Sequence, residues 1–180
     1  MMHYTLVGSR ETPVESGIIL EALVDMLATH HYVGRSGGAD GADSALEYQL
    51  RESVGLKEIY LPWQSFNGRE ADGVEYINAS TMPNYKQAME IAKATHPAWD
   101  KCSQGAQKLH ARNVYQVLGK DLASPSSVLI CWAIPTAKGV RGGTNTAVQL
   151  AKANHVPVLN IHGMDLTTAL TELRNILTGV

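Results

Sequence analysis

Three glycine-bearing runs carry the residue types best suited to holding an anion. They are Gly8-Ser9-Arg10, Ser36-Gly37-Gly38-Ala39-Asp40-Gly41 and Arg141-Gly142-Gly143-Thr144-Asn145-Thr146. Glycine lets a ligand approach the backbone, and a helix N-terminus offers free N–H groups at the positive end of its dipole. Ser9, Thr144 and Thr146 add hydroxyls beside those groups, and Asn145 adds an amide. Arg10 adds a planar fork of donors that matches a phosphate. One such run reads as a tight turn. Three in 180 residues point to a phosphate-bearing ligand.

Other side chains are open to two readings. Asp40 and Asp43 could cap the helix after the second run or hydrogen-bond sugar hydroxyls, with Gly37 and Gly38 giving backbone access. Arg112 stands among Lys108, His110 and Asn113, a grouping that usually marks a solvated helix face; removing an exposed arginine there, or at Arg10, should hardly change stability. Trp132, and the loop aromatics Trp63 and Phe66 beside Arg69, could stack on a base or simply pack. The seven histidines and two cysteines show no zinc spacing, and no full Walker loop or Gly-X-Gly-X-X-Gly is present. The expectation is therefore no metal and no required cofactor, with a nucleotide as ligand.

These runs must be positioned by the elements around them. His3 to Val7 reads as a first strand, followed by a helix that Thr12, Pro13 and Glu15 open as a capping box. Ile18, Ala22, Leu23, Met26 and Leu27 form the apolar face of that helix. A second strand is expected over His31–Gly34 and a third over Glu58–Leu61. The unbroken apolar run Ser127–Trp132 reads as a strand buried on both faces, and Val156–Asn160 as a fifth, with Pro157 favouring an edge. Asp165 caps a last helix whose Leu166, Leu170, Leu173 and Leu177 should point inward. Helices are also expected over Asn84–Thr95 and Gly105–Leu118, within an elaborated crossover at about 62–125. The alternation implies an α/β fold: an open parallel sheet of about five strands, order 3-2-1-4-5, with helices on both faces. Each glycine run follows a strand, so each should lie at the carboxyl edge where ligands of such sheets bind.

Composition narrows the classes. A length of 180 residues fits one domain spanning 1–180. With 15 basic and 17 acidic residues the net charge is -2, which argues against broad nucleic-acid binding. No apolar run is long enough to cross a membrane. Two cysteines cannot form a disulfide framework, and Cys131 sits in an apolar strand, so a reducing cytoplasm is expected.

Together these motifs resemble the SLOG superfamily of Rossmann-like nucleotide-binding proteins, which includes the Lonely Guy phosphoribohydrolases and the DNA-processing protein A group. Gly8-Ser9 and Gly37-Gly38 match the first two turns of the Lonely Guy enzymes. Leu109-His110-Ala111-Arg112-Asn113 is similar to their Met-His-Glu-Arg-Lys stretch, which puts Arg112 on the catalytic arginine. Gly142-Gly143-Thr144-Asn145-Thr146-Ala147-Val148-Gln149 is similar to their Pro-Gly-Gly-X-Gly-Thr-X-X-Glu motif. Gln149 replaces the catalytic glutamate there and cannot act as a base. A less characterised branch, with many bacterial and phage members, is also similar around Gly142-Gly143-Thr144. The resemblance implies nucleotide binding for sensing, sequestration or carriage, and a homo-oligomer, typically a dimer. The alternative is N-glycosidic hydrolysis or transfer, with Arg112 and Asp40 or Asp43 as catalytic groups. A third reading, single-stranded DNA binding, is disfavoured by charge.

Overall fold

Strands and helices alternate because the apolar strand runs have two faces to bury and each helix has one apolar face to lay on them. The computed structural model describes residues 1–180. β1 (His3–Gly8), α1 (Val14–Thr29), β2 (Val33–Ser36), α2 (Ala42–Gln49) and β3 (Lys57–Leu61) form the first half. A small hairpin, β4 (Ser65–Phe66) and β5 (Arg69–Glu70), then leads to β6 (Tyr76–Asn78). Next come α3 (Tyr85–Thr95), α4 (Gln104–Leu118) and β7 (Val128–Trp132). The hairpin β8 (Pro135–Thr136) and β9 (Gly139–Val140) precedes α5 (Thr144–Ala153), β10 (Val158–Asn160) and α6 (Leu166–Thr178).

Six strands pair in the order β10-β7-β1-β2-β3-β6, all parallel. This is the expected order with one further strand, β6, beyond β3. β6 is three residues long inside a polar, proline-punctuated segment, too short for an alternation to be visible. The chain reverses direction across the sheet between β1 and β7, where Gly8 lies opposite Trp132. β10 is an edge strand, and Pro157 just before it leaves no ladder bond unmade. β2 starts two residues later than expected, because His31 adopts a left-handed turn with φ 59°.

Two apolar layers sandwich the sheet. Leu6, Ile130 and Leu159 face α1, α2 and α6, with Leu20, Leu23, Leu27 and Leu46 fully buried. Val7, Leu129 and Cys131 face α3, α4 and α5, with Val114, Ala147 and Ala151. Each buried leucine, isoleucine or valine here contributes about 1.5–3 kcal/mol by leaving water. Cys131 is sealed in this second layer, and burial pushes its thiol up to about 12.

Several local expectations shift by a few residues. The buried face of α1 is Leu20, Leu23, Val24 and Leu27, whereas Ile18 is 57% exposed. Thr12 does not cap α1; its hydroxyl donates to the Ser9 carbonyl and tightens the first turn. In α6, Asp165 caps as expected, accepting from the Thr168 N–H at 2.7 Å. Ala169 and Leu173 are its buried residues, and Leu166 remains exposed. No helix is long and apolar enough to cross a membrane.

Candidate functional site

A cleft of about 480 Å³ opens at the carboxyl edge of the sheet, above the reversal between β1 and β7. One wall is the first turn, Gly8, Ser9 and Arg10; the opposite wall is Arg141, Gly142, Gly143 and Thr144. The backbone N–H groups of Arg10, Gly142, Gly143 and Thr144 have no acceptor within the protein. α5 begins at Thr144 behind Gly143, with no side-chain cap on its first turn. Unpaired donors on lining residues and the positive end of a helix dipole therefore border the same space.

The glycines at these turns do different jobs. A Cβ on Gly8 would lie 2.6 Å from the Ala42 Cβ and 2.7 Å from the Trp132 carbonyl oxygen, so Gly8 lets α2 and β7 close on β1. Gly37 similarly leaves room for the Arg112 and Gln116 side chains. Gly142 and Gly143 face open space. Gly142 has φ 82°, a conformation that glycine adopts freely and other residues rarely, while Gly143 is right-handed helical at φ -63° and could carry a side chain.

The floor comes from α4, which is buried continuously from His110 to Leu118. Arg112 is not on a solvated face: it is 7% exposed and wedged under the second turn. Its Nη1 donates to the Gly37 carbonyl, its Nε has no partner, and its Cζ lies 5.7 Å from the Phe66 ring centroid. α4 is covered by the sheet, α3 and α5 together, so a polar sequence cluster here cannot reach solvent. Burial pulls the Arg112 guanidinium below its ordinary value; Asp43 opposes this and Arg10 adds to it.

Asp43 lines the same cleft and is buried. One oxygen accepts from the Gly37 N–H at 3.0 Å and the Ala39 N–H at 3.3 Å, which fixes the second turn. Burial pushes its carboxyl up to about 6, against the pull of Arg112 and the two N–H donors. Asn113 donates to the Gly143 carbonyl at 3.3 Å and braces the third turn. Gln116 lines the floor fully buried, and neither its amide oxygen nor its nitrogen has a partner. Sequence reasoning passed over Gln116; its only signal is a position four residues after Arg112 on the same helix face.

The remaining sequence candidates lie elsewhere. Asp40 borders a smaller hollow of about 260 Å³ with Trp63, Phe66 and Asn67, which Arg10 separates from the main cleft by lining both. Asp40 does not cap α2, whose N-cap is Gly41; it accepts from the Asn67 amide at 2.9 Å. Gly38 is buried and offers its carbonyl to the same amide. Arg69 is committed to Glu47, with 2.8 Å contacts to both oxygens. Asn145 turns away from the cleft and accepts from the Val140 N–H and the Gln149 amide. Gln149 also donates to the Lys138 carbonyl, so it latches the β8–β9 hairpin to α5. Thr146 is buried against His110 Nδ1 at 2.9 Å. Trp132 packs into the apolar layer with its ring centroid 5.3 Å from that of His162.

One solved structure is similar over the whole chain. It is DNA processing protein A from Helicobacter pylori, described for its unique single-stranded DNA binding mode. The similarity covers 99% of this chain and 78% of that one, at 16% identity and a TM-score of 0.48. No family model matches the chain, and no curated protein matches it.

The site thus has three layers. Backbone donors and the exposed Arg10 form the rim, Asp43 and Arg112 are buried beneath the second turn and feel each other's charge without a direct ion pair, and the unpartnered Gln116 amide lies on the floor. Such an arrangement can hold an anionic group at the rim and hydrogen-bond a neutral polar group below it.

Proposed function

We propose that this cleft binds a nucleotide or nucleotide-derived small molecule, for sensing, sequestration or carriage. The observation that carries this reading is the set of four acceptor-free N–H groups, from Arg10, Gly142, Gly143 and Thr144, on residues that line one cleft at a helix N-terminus. A phosphate, with several acceptor oxygens and negative charge, can satisfy such groups together. Arg10 supplies charge at the rim, and Gln116 supplies a donor and an acceptor of the kind that pairs with a base edge.

A second reading is favoured by one observation: Asp43 is a buried carboxyl in the cleft, raised to about 6, beside Arg112. A carboxyl poised near neutrality can exchange protons during N-glycosidic cleavage. Its two backbone bonds equally suit a positioning role for the second turn. The net charge of -2 weighs against the DNA-binding mode described for the similar protein.

The test is equilibrium binding of the four common ribonucleoside monophosphates and their matching nucleosides, to wild type and Arg10→Ala. At least one nucleotide should bind wild type, and the variant should bind it about tenfold to a hundredfold more weakly, the worth of one charge-assisted bond. Nucleosides should bind weakly to both. Equal losses for nucleotide and nucleoside would remove Arg10 from phosphate recognition. Free base accumulating in the mixtures would favour the enzymatic reading, and binding only of oligonucleotides, with steep salt dependence, the DNA-binding one.

A further inference from the structure

Three side chains outside the phosphate-facing rim gather without any sequence pattern announcing it. His96 ends α3, Cys102 precedes the Ser103 cap of α4, and His110 lies two turns into α4. Five residues separate the first pair and seven the second, which matches no common zinc spacing and explains why the sequence showed no ligand set. One ligand atom from each lies within 4.8 Å of the others. Cys102 Sγ is 3.9 Å from His96 Nδ1 and 3.8 Å from Nε2, and the two imidazole centroids are 4.4 Å apart.

We propose that His96, Cys102 and His110 form a binding site for a borderline-soft divalent cation of the zinc type. A thiolate and two imidazoles are the donor set that such ions prefer over oxygen-seeking magnesium or calcium. Ideal tetrahedral coordination places sulfur and nitrogen ligands about 3.6 Å apart, so the Cys102–His96 spacing needs to close by only a few tenths of an ångström, and the ligand atoms of all three residues start within 4.8 Å of one another.

The surroundings hold the ligands in place. The Cys102 N–H donates to the Trp99 carbonyl at 2.9 Å, and the Gln107 amide donates to the Trp99 and Cys102 carbonyls. His110 Nδ1 is engaged by the Thr146 hydroxyl from α5, which leaves Nε2 to bind and resembles the outer-shell support of metal-bound histidines. His96 Nδ1 accepts the Ala98 N–H at 3.1 Å; coordination through either ring nitrogen gives up that bond, a modest cost against the metal bond it gains. The thiol's alternative partner, the Ala98 carbonyl, is a weak contact at 3.6 Å. Three protein ligands leave a fourth position open. His110 also lines the main cleft, so an ion here would sit within one side chain of it.

Titration of the reduced, metal-stripped protein with Co²⁺ tests this. One equivalent should bind, with a thiolate-to-cobalt charge-transfer band and the strong visible bands of four-coordinate cobalt, and Zn²⁺ should displace it. Cys102→Ser should abolish the charge-transfer band, and both it and His96→Ala should weaken binding at least tenfold. His162→Ala should change neither. His96 is half-buried, so its variant keeps the test valid if His110→Ala fails to fold. Absence of cobalt binding, or an unchanged spectrum in a folded Cys102→Ser protein, would overturn the proposal.

Discussion

Asp43 converts its position under the second turn into a pH dependence. Burial raises its carboxyl from 3.8 to about 6 in the folded chain. The folded state then holds a proton that the unfolded state has released, so stability falls as pH rises across that interval and levels off above it. Below about 3.8 both states are protonated, and the contribution is fully present. The span corresponds to an effect on the order of 3 kcal/mol. Asp43→Asn retains an oxygen for the Gly37 and Ala39 N–H groups but carries no charge. Its melting temperature should therefore rise relative to wild type between pH 4 and 6.5, as followed by circular dichroism. A pH-independent difference would show that Asp43 stays ionised throughout. Residues like this were half legible in the sequence: a carboxylate behind a glycine turn is visible there, but its burial depends on α4 lying across the turn, a contact between segments far apart in the chain.

At the scale of elements, α4 departs most from what its sequence advertises. Lys108, His110, Arg112 and Asn113 read as a wet surface, yet from His110 onward the helix is enclosed by the sheet, α3 and α5. Periodicity reports which face is apolar, not how many neighbours a helix acquires, and the long crossover supplies the extra neighbour. The same limit explains α1 and α6, where the buried stripe shifted while element type and place held. Strands β1, β3 and β7 were readable because continuous apolar runs between turns leave few alternatives. β6 was not, for want of length. The consequence for α4 is that Arg112 is a folding residue as well as a cleft residue. Arg112→Ala should cost about 2–4 kcal/mol, because it empties a buried volume and leaves Asp43 without its guanidinium neighbour. Arg10→Ala, at an exposed position, should leave the denaturant midpoint unchanged. Equal midpoints for the two variants would mean that Arg112 is free to leave its place under Gly37.

For the whole molecule, the strand order decides which turns meet at the carboxyl edge of the sheet. The sheet reverses between β1 and β7, so the first and third turns face each other there, as the order expected from sequence requires. Packing then divides the glycines: Gly8 and Gly37 are consumed in closing the protein on itself, while Gly142 and Gly143 keep their open side toward the cleft. Gly143 can accept a side chain without backbone strain, which makes it the cleanest probe of ligand approach. The decisive measurement is calorimetric titration of wild type and Gly143→Val with the nucleotide that binds wild type best, alongside melting curves for both. The variant should melt with wild type and lose affinity at least a hundredfold, because the valine methyls cover the N–H groups at the start of α5. A folded Gly143→Val protein with unchanged affinity would contradict phosphate capture in this cleft.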